Sequence, residues 1–169
     1  MISSDFVHQM ARYNRWQNGL MYAAADSLSD AQRRQECGAF FGSLHTTLAH
    51  ILWADRVWMH RFAGTPATSP ADDQGRGSTY SDWTKLVSER QAFDQEILSW
   101  AGTVSDDWLK ADFSWSNLAG TRTATLQAWK LVSHFFNHQT HHRGQAHALL
   151  TRFGAATEDT DLFLMPPDA

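Results

Sequence analysis

The chain has 169 residues, 43% hydrophobic and 12% aromatic, with a formal net charge of −4. That length matches one ordinary domain, able to bury a core without disulfides, so a single domain over 1–169 is expected. The acidic balance, with no Lys/Arg-rich tract, lacks the electrostatic footprint of a nucleic-acid-binding surface.

From about residue 4 to 28, Phe6, Met10, Tyr13, Leu20 and Ala24 recur mostly at three- and four-residue steps, with Ser3 or Ser4 as N-cap. This predicts a first helix. Polar residues 29–42 lead to a second, in which Leu44, Leu48, Ile51, Trp58 and Phe62 keep the period until Gly64 stops it. Residues 64–80 hold Pro66, Pro70, Gly75 and Gly77 among Asp, Ser and Thr. They read as a long surface loop, either mobile or placed as a lid over a site. Ser81 and Asp82 open a third helix, whose Trp83, Leu86, Phe93, Ile97 and Trp100 continue one face to about Gly102. Between 111 and 125, Phe113/Trp115 and Arg122/Ala124 alternate around residues 117–120, the pattern of a small hairpin. Thr125 is placed to cap a last helix running to Phe153 before Gly154. Four long helices without a major sheet make an all-α four-helix bundle.

No cationic flank with an apolar run opens the chain, and nowhere do about eighteen apolar residues follow one another, so a soluble, cytoplasmic protein is expected. Cys37 is the single cysteine, which excludes an internal disulfide and thiolate-rich metal sites. No nucleophile motif surrounds it.

Nine histidines occur, and three of them fall within residues 138–142. Neutral imidazole is the commonest metal-binding side chain, and two imidazoles four residues apart on a helix can share one cation. The most regular stripe of the last helix is Leu131, Phe135, His138, His142, Gln145 and Leu149, so two histidines stand where leucine would face the bundle interior. An open metal centre usually takes three protein ligands. His50 is the best third candidate, because it flanks the apolar stripe of the second helix with small Thr47 and Ala54 one turn away. The alternative is that these histidines only form hydrogen bonds in the core or at the surface.

Other patterns narrow the chemistry. None of Glu36, Glu89, Glu96 or Glu158 has a histidine three residues on, which excludes a ferritin-like di-iron site. His-Glu-x-x-His and Gly-x-Ser-x-Gly are also absent, so zincin-protease and serine-hydrolase readings have no support. His134 is expected in the core or behind a ligand, and His141, rotated about 100° from His142, in solvent or at an interface. His8, His45, His60 and His147 read as structural or surface residues. Asp55 either orients a ligand or pairs with Arg12 or Arg15, and Gln145 is placed to bond a ligand or bound water.

Three segments carry a family resemblance: Tyr13-Asn14-Arg15-Trp16, Phe40-Phe41-Gly42-Ser43 through Thr47-Leu48-Ala49-His50-Ile51-Leu52-Trp53-Ala54-Asp55, and Asn137-His138-Gln139-Thr140-His141-His142-Arg143-Gly144-Gln145. Together they resemble the DinB family of bacterial metalloproteins, over most of the chain to about residue 162. The resemblance implies a DinB/YfiT-type bundle, usually a homodimer, holding one divalent metal by three histidines. The matching positions are His50, His138 and His142. The implied metal is nickel or zinc first, with iron or manganese as further candidates. Characterised relatives transfer or isomerise with bacillithiol, mycothiol or glutathione, which implies a low-molecular-weight thiol and a small electrophile as partners. The chain is therefore expected to be a thiol transferase or a hydrolase. The competing expectation is a non-catalytic metal-binding or stress-response protein in which the metal braces the helices.

Overall fold

The computed structural model describes residues 1–64, 80–117 and 120–168. Among them the order is α1 (Ser4–Asp26), α2 (Asp30–Arg34), α3 (Leu44–Phe62), α4 (Trp83–Ala101), α5 (Asp106–Lys110), β1 (Asp112–Ser116), β2 (Thr123–Gln127) and α6 (Ala128–Arg152), with a 3-10 turn at Leu162–Leu164. The four long helices form the bundle: α1 packs on α4 and α6, and α3 packs on α6 and α4. The all-α reading with a hairpin before the last helix is the architecture observed. Apart from Gly64 and Tyr80, the segment read as a loop at 64–80 lies outside the described residues.

Side-chain caps set where the helices begin. Ser3 Oγ accepts from the Phe6 amide at 3.2 Å, and the Asp82 carboxylate accepts from the Lys85 amide at 2.6 Å. At α3, Ser43 and Thr46 form a reciprocal capping box, each side chain bonding the other's backbone amide. Gly64 follows α3 at φ 66°, a left-handed conformation that glycine adopts without steric cost.

Three expectations are corrected. Thr125 does not cap the last helix: it lies in β2, its hydroxyl 2.7 Å from that of Ser114 across the hairpin, and α6 starts at Ala128 behind Gln127 with no side-chain cap bond. The alternating, threonine-rich pattern of the strand runs directly into the helix. The buried face of α1 is Val7, Ala11, Asn14, Asn18, Tyr22 and Ala25, rotated from the apolar stripe because two asparagines belong to it. Helix α2 arises in the segment read as polar, and α5 in the stretch between the third helix and the hairpin, to which no element was assigned; five residues each is too short for a period to show.

The core explains the tryptophan content. Phe62, at the end of α3, stacks on Trp100 at 5.2 Å and meets Trp108, Phe113 and Phe135 edge-on within 5.9 Å. Rings from α3, α4, α5, β1 and α6 thus close one end of the bundle, each pair adding about 0.5–1.5 kcal/mol to its apolar burial.

A second buried region is polar. Arg90 on α4 bridges Asp55 on α3 at 2.6 Å and Asp94 one turn along at 2.8 Å, all three at least 94% buried. Asn18 donates to Asp94 at 2.9 Å, and Asn14 donates to the buried Gln139. Arg143 lies buried beside this network, its pKa pushed down to about 10 by burial. Asp55 therefore forms a salt bridge, as one reading had it, but with Arg90. Arg12 instead donates to the Pro167 carbonyl, and Arg15 to Gln95.

Candidate metal centre

The packing of α3 against α6 brings His50, His138 and His142 together, with one nitrogen from each ring within 4.8 Å of the others. The Nε2 atoms of His50 and His138 are 3.3 Å apart. Two nitrogens bound to one tetrahedral zinc-like ion at about 2.0–2.1 Å lie about 3.3 Å from each other, so this pair already has the spacing of a shared cation. Ring centroids separate by 4.4 Å for His138 and His142 and by 4.9 Å for His50 and His142. The four-residue step on α6 supplies two imidazoles and the facing turn of α3 the third. The three histidines identified from spacing are thus adjacent in space.

The surroundings fix tautomer and ring plane. The Oε1 of Gln145 lies 2.8 Å from His142 Nδ1, so that nitrogen carries the hydrogen and donates it, leaving the Nε2 lone pair for a ligand. Gln145 Nε2 is 3.3 Å from His141 Nε2. Phe41 stacks on His50 at 3.9 Å and lies 5.2 Å from His142, while Trp53 stacks on the His50 ring at 5.8 Å. Phe41 is held by a tight turn in which the Gly42 amide bonds Ala39 O at 2.8 Å and the Cys37 amide bonds Gly42 O at 2.9 Å. Gly42 takes φ 81°, a left-handed conformation that favours glycine, and a Cβ there would come 2.5 Å from Glu36 Oε2, the tip of an exposed side chain that would have to swing aside. The capping box follows at once, with Thr46 Oγ1 bonding Phe41 O. Turn and helix start together aim the aromatic ring at the site.

Electrostatics favour the neutral form of two of the imidazoles. Burial, then the neighbouring rings of His142 and His50, push His138 down to about 3. Burial also lowers His142, partly opposed by its bond to Gln145. The His138 Nδ1 is buried without a hydrogen-bond partner among the described residues. His138 and His142 are thus held toward neutral lone-pair donors, the form that binds a divalent cation with little proton competition.

The remaining histidines separate. His134 is exposed, against the expectation of burial: its ring sits edge-on to Trp58 at 5.2 Å and 5.9 Å from that of His138. Helical drift along the row carries it out of the ligand set and into solvent. His141 is exposed beside His142, as its rotation predicts. His45 is buried with Nε2 2.7 Å from the Tyr80 carbonyl, and His8 and His147 are exposed. Sequence reasoning missed the roles of Phe41 and Trp53; the glycine at position 42, between a phenylalanine pair and a capping serine, was the available signal. A cavity of about 250 Å³ between α1 and α6 is lined by Gln17, Arg143, His147 and Glu158 among others, and by none of the three clustered histidines.

Comparison with known proteins agrees with this architecture. Residues 1–167 match the model of the DinB family. Protein DinB of Bacillus subtilis (strain 168) is 26% identical over 168 residues, covering 94% of this chain and 92% of that protein. The crystal structure of a DinB-like protein from Bacillus cereus shares the fold, with a TM-score of 0.60 at 17% identity over 85% of this chain and 90% of that one. The match over nearly the whole length shows that the chain belongs to the DinB family.

Proposed function

We propose that His50, His138 and His142 bind one divalent metal ion and that the protein uses it to activate a low-molecular-weight thiol for transfer to a small electrophile. The observation that carries this reading is the composition of the cluster: three imidazoles with ligand nitrogens within 4.8 Å of one another and no carboxylate or cysteine among the grouped ligands. All-imidazole sets suit zinc, nickel, copper or iron, and three protein ligands leave a coordination position open. A bound metal supplies Lewis acidity that lowers the pKa of a thiol or water in that position.

The chain's own residues do the rest. Gln145 holds His142 with Nε2 inward, and Phe41 and Trp53 fix the His50 ring between aromatic faces. These faces also exclude water from one side of the centre. A thiol and water would both be acidified by a bound metal, and no acidic side chain joins the cluster among the described residues to serve as a base for water. Of the three histidines, His138 is the half-buried one.

The test is transfer of glutathione, bacillithiol or mycothiol to monochlorobimane by protein purified without a nickel column. Turnover that a chelator removes, that metal restores and that His138→Ala lacks is expected. If His138→Ala loses metal and melting temperature while the wild type turns over no thiol, the metal braces α3 against α6 and the enzyme reading fails.

A further inference from the structure

The cavity between α1 and α6 has a third wall, the irregular segment that follows α6. His147 Nε2 lies 3.1 Å from Thr157 Oγ1, which ties that segment to α6. The Thr160 carbonyl ties it to α1, accepting from the Tyr13 hydroxyl at 2.5 Å and from Gln17 Nε2 at 3.4 Å. The space enclosed is about 250 Å³, roughly eight water volumes, which suits one small organic molecule.

The lining is uneven. Leu20, Met21 and Leu150 supply an apolar wall, and Arg143 a cation. Arg143 is only 3% exposed, yet among the described residues it forms no ion pair. Its Nη2 reaches Thr140 Oγ1, on the cavity wall, at 3.4 Å, while Nε and Nη1 are buried without a partner. The other two buried arginines are better answered: Arg33 donates to the carbonyls of Ala25 and Leu28, and Arg90 pairs with Asp55 and Asp94. A desolvated cation left with one long bond to a neutral hydroxyl costs free energy unless an anion meets it.

Gly144, one position along, also lines the cavity, and a Cβ there would meet no atom within 4 Å. Glycine inside a helix is less favourable than alanine, and here neither a left-handed φ nor crowding requires it. Its effect is to keep a side chain out of the space beside Arg143. The rim carries exposed Glu158 and the whole chain a net charge of −4, which disfavours a multiply charged anion.

We propose that this cavity binds a small monocarboxylate with a short apolar body, the carboxylate meeting Arg143 from the Thr140 side and the body lying on Leu20, Met21 and Leu150. The site is separate from the histidine cluster. Arg143 follows His142 directly, but one residue's rotation of about 100° sends His142 toward His50 on α3 and Arg143 toward α1 and the terminal segment. The carboxylate site therefore stands or falls independently of the metal centre.

Isocaproate is a probe of this class, and isocaproamide has the same shape without the charge. Each is titrated into isotope-labelled full-length protein, with binding read from the backbone amide signals by NMR. Isocaproate should shift the Gly144 and Thr157 amides saturably and bind on the order of tenfold tighter than the amide, the gain of a charge-assisted bond. Gly144→Leu, which fills the space from the exposed side of α6, should abolish the shift at Thr157 while the rest of the spectrum stays native. Arg143→Lys keeps the charge but loses the fork, and should shrink the preference for the acid over the amide. If that variant unfolds, the acid and amide comparison and Gly144→Leu still decide. No saturable shift at millimolar isocaproate, equal affinity for acid and amide, or binding that survives Gly144→Leu would overturn the site and leave Arg143 as a member of the neighbouring polar network alone. Inorganic phosphate binding more tightly than isocaproate at the same amides would overturn the assignment to a monocarboxylate.

Discussion

Two polar regions are buried in this bundle, and they are built on opposite principles. The network of Asp55, Arg90, Asp94, Asn14, Asn18 and Gln139 contains both signs of charge, with Arg90 paired to both carboxylates, although Asn14 Oδ1, Asp55 Oδ1, Arg90 Nε and Gln139 Nε2 have no hydrogen-bond partner among the described residues. The cluster of His50, His138 and His142 contains one kind of group, imidazole, with ring nitrogens converging and no acid grouped with them among the described residues. The first has its charges paired within the chain and reads as architecture. The second is completed only by something the chain does not encode, which is what distinguishes a site from a buried polar core.

Substitutions should separate the two regions by what they damage. The largest effect is expected from Arg90→Met, which leaves Asp55 and Asp94 buried without their cation and should cost about 3–5 kcal/mol. Urea unfolding would read the loss, and the surviving folded protein should keep its metal affinity. Gln145→Leu should do the reverse, lowering metal affinity roughly 10–100-fold by freeing the His142 ring while leaving the metal-free melting temperature nearly unchanged. A competition titration against a chromophoric chelator gives that number. Ser43→Ala removes half of the capping box and should cost about 1 kcal/mol, with a smaller drop in metal affinity as the Phe41 turn loosens.

The last effect is gradual and distinguishes the regions by pH. His138 and His142 are held below their ordinary pKa of 6.5 when folded, so between that value and the folded values the unfolded chain binds more protons. Their contribution to stability is complete above 6.5 and declines as the pH falls through the window toward about 3. The urea midpoint of metal-free protein should therefore decline from about pH 7 downward, and His138→Asn should flatten that decline. An unchanged slope in the variant would contradict His138 as a source of the acid sensitivity.

The same contrast explains what could be read in the sequence. His138 and His142 were legible because they occupy leucine positions in a regular heptad stripe, and His50 because small neighbours flank it. The fold was legible because α3, α4 and most of α6 carry strong apolar periods. The polar network was not: Asn14, Asn18, Arg90, Gln139 and Arg143 look like surface residues by type, and only packing shows that they face inward together. Reading polar residues as outward displaced the face of α1 by one position and sent Asp55 to the wrong arginine. Phe41 escaped for a different reason, since a turn residue acquires meaning only from what it packs against, here His50 and the sequence-distant His142.

The measurement that bears most directly on the account is the metal content of protein purified without a nickel column, by elemental analysis, for wild type beside His138→Ala and Arg90→Met. A single tightly held ion per chain in the wild type, retained by folded Arg90→Met and lost by folded His138→Ala, is the predicted result. Variable, weakly held metal in the wild type, or stoichiometric metal in His138→Ala, would contradict it.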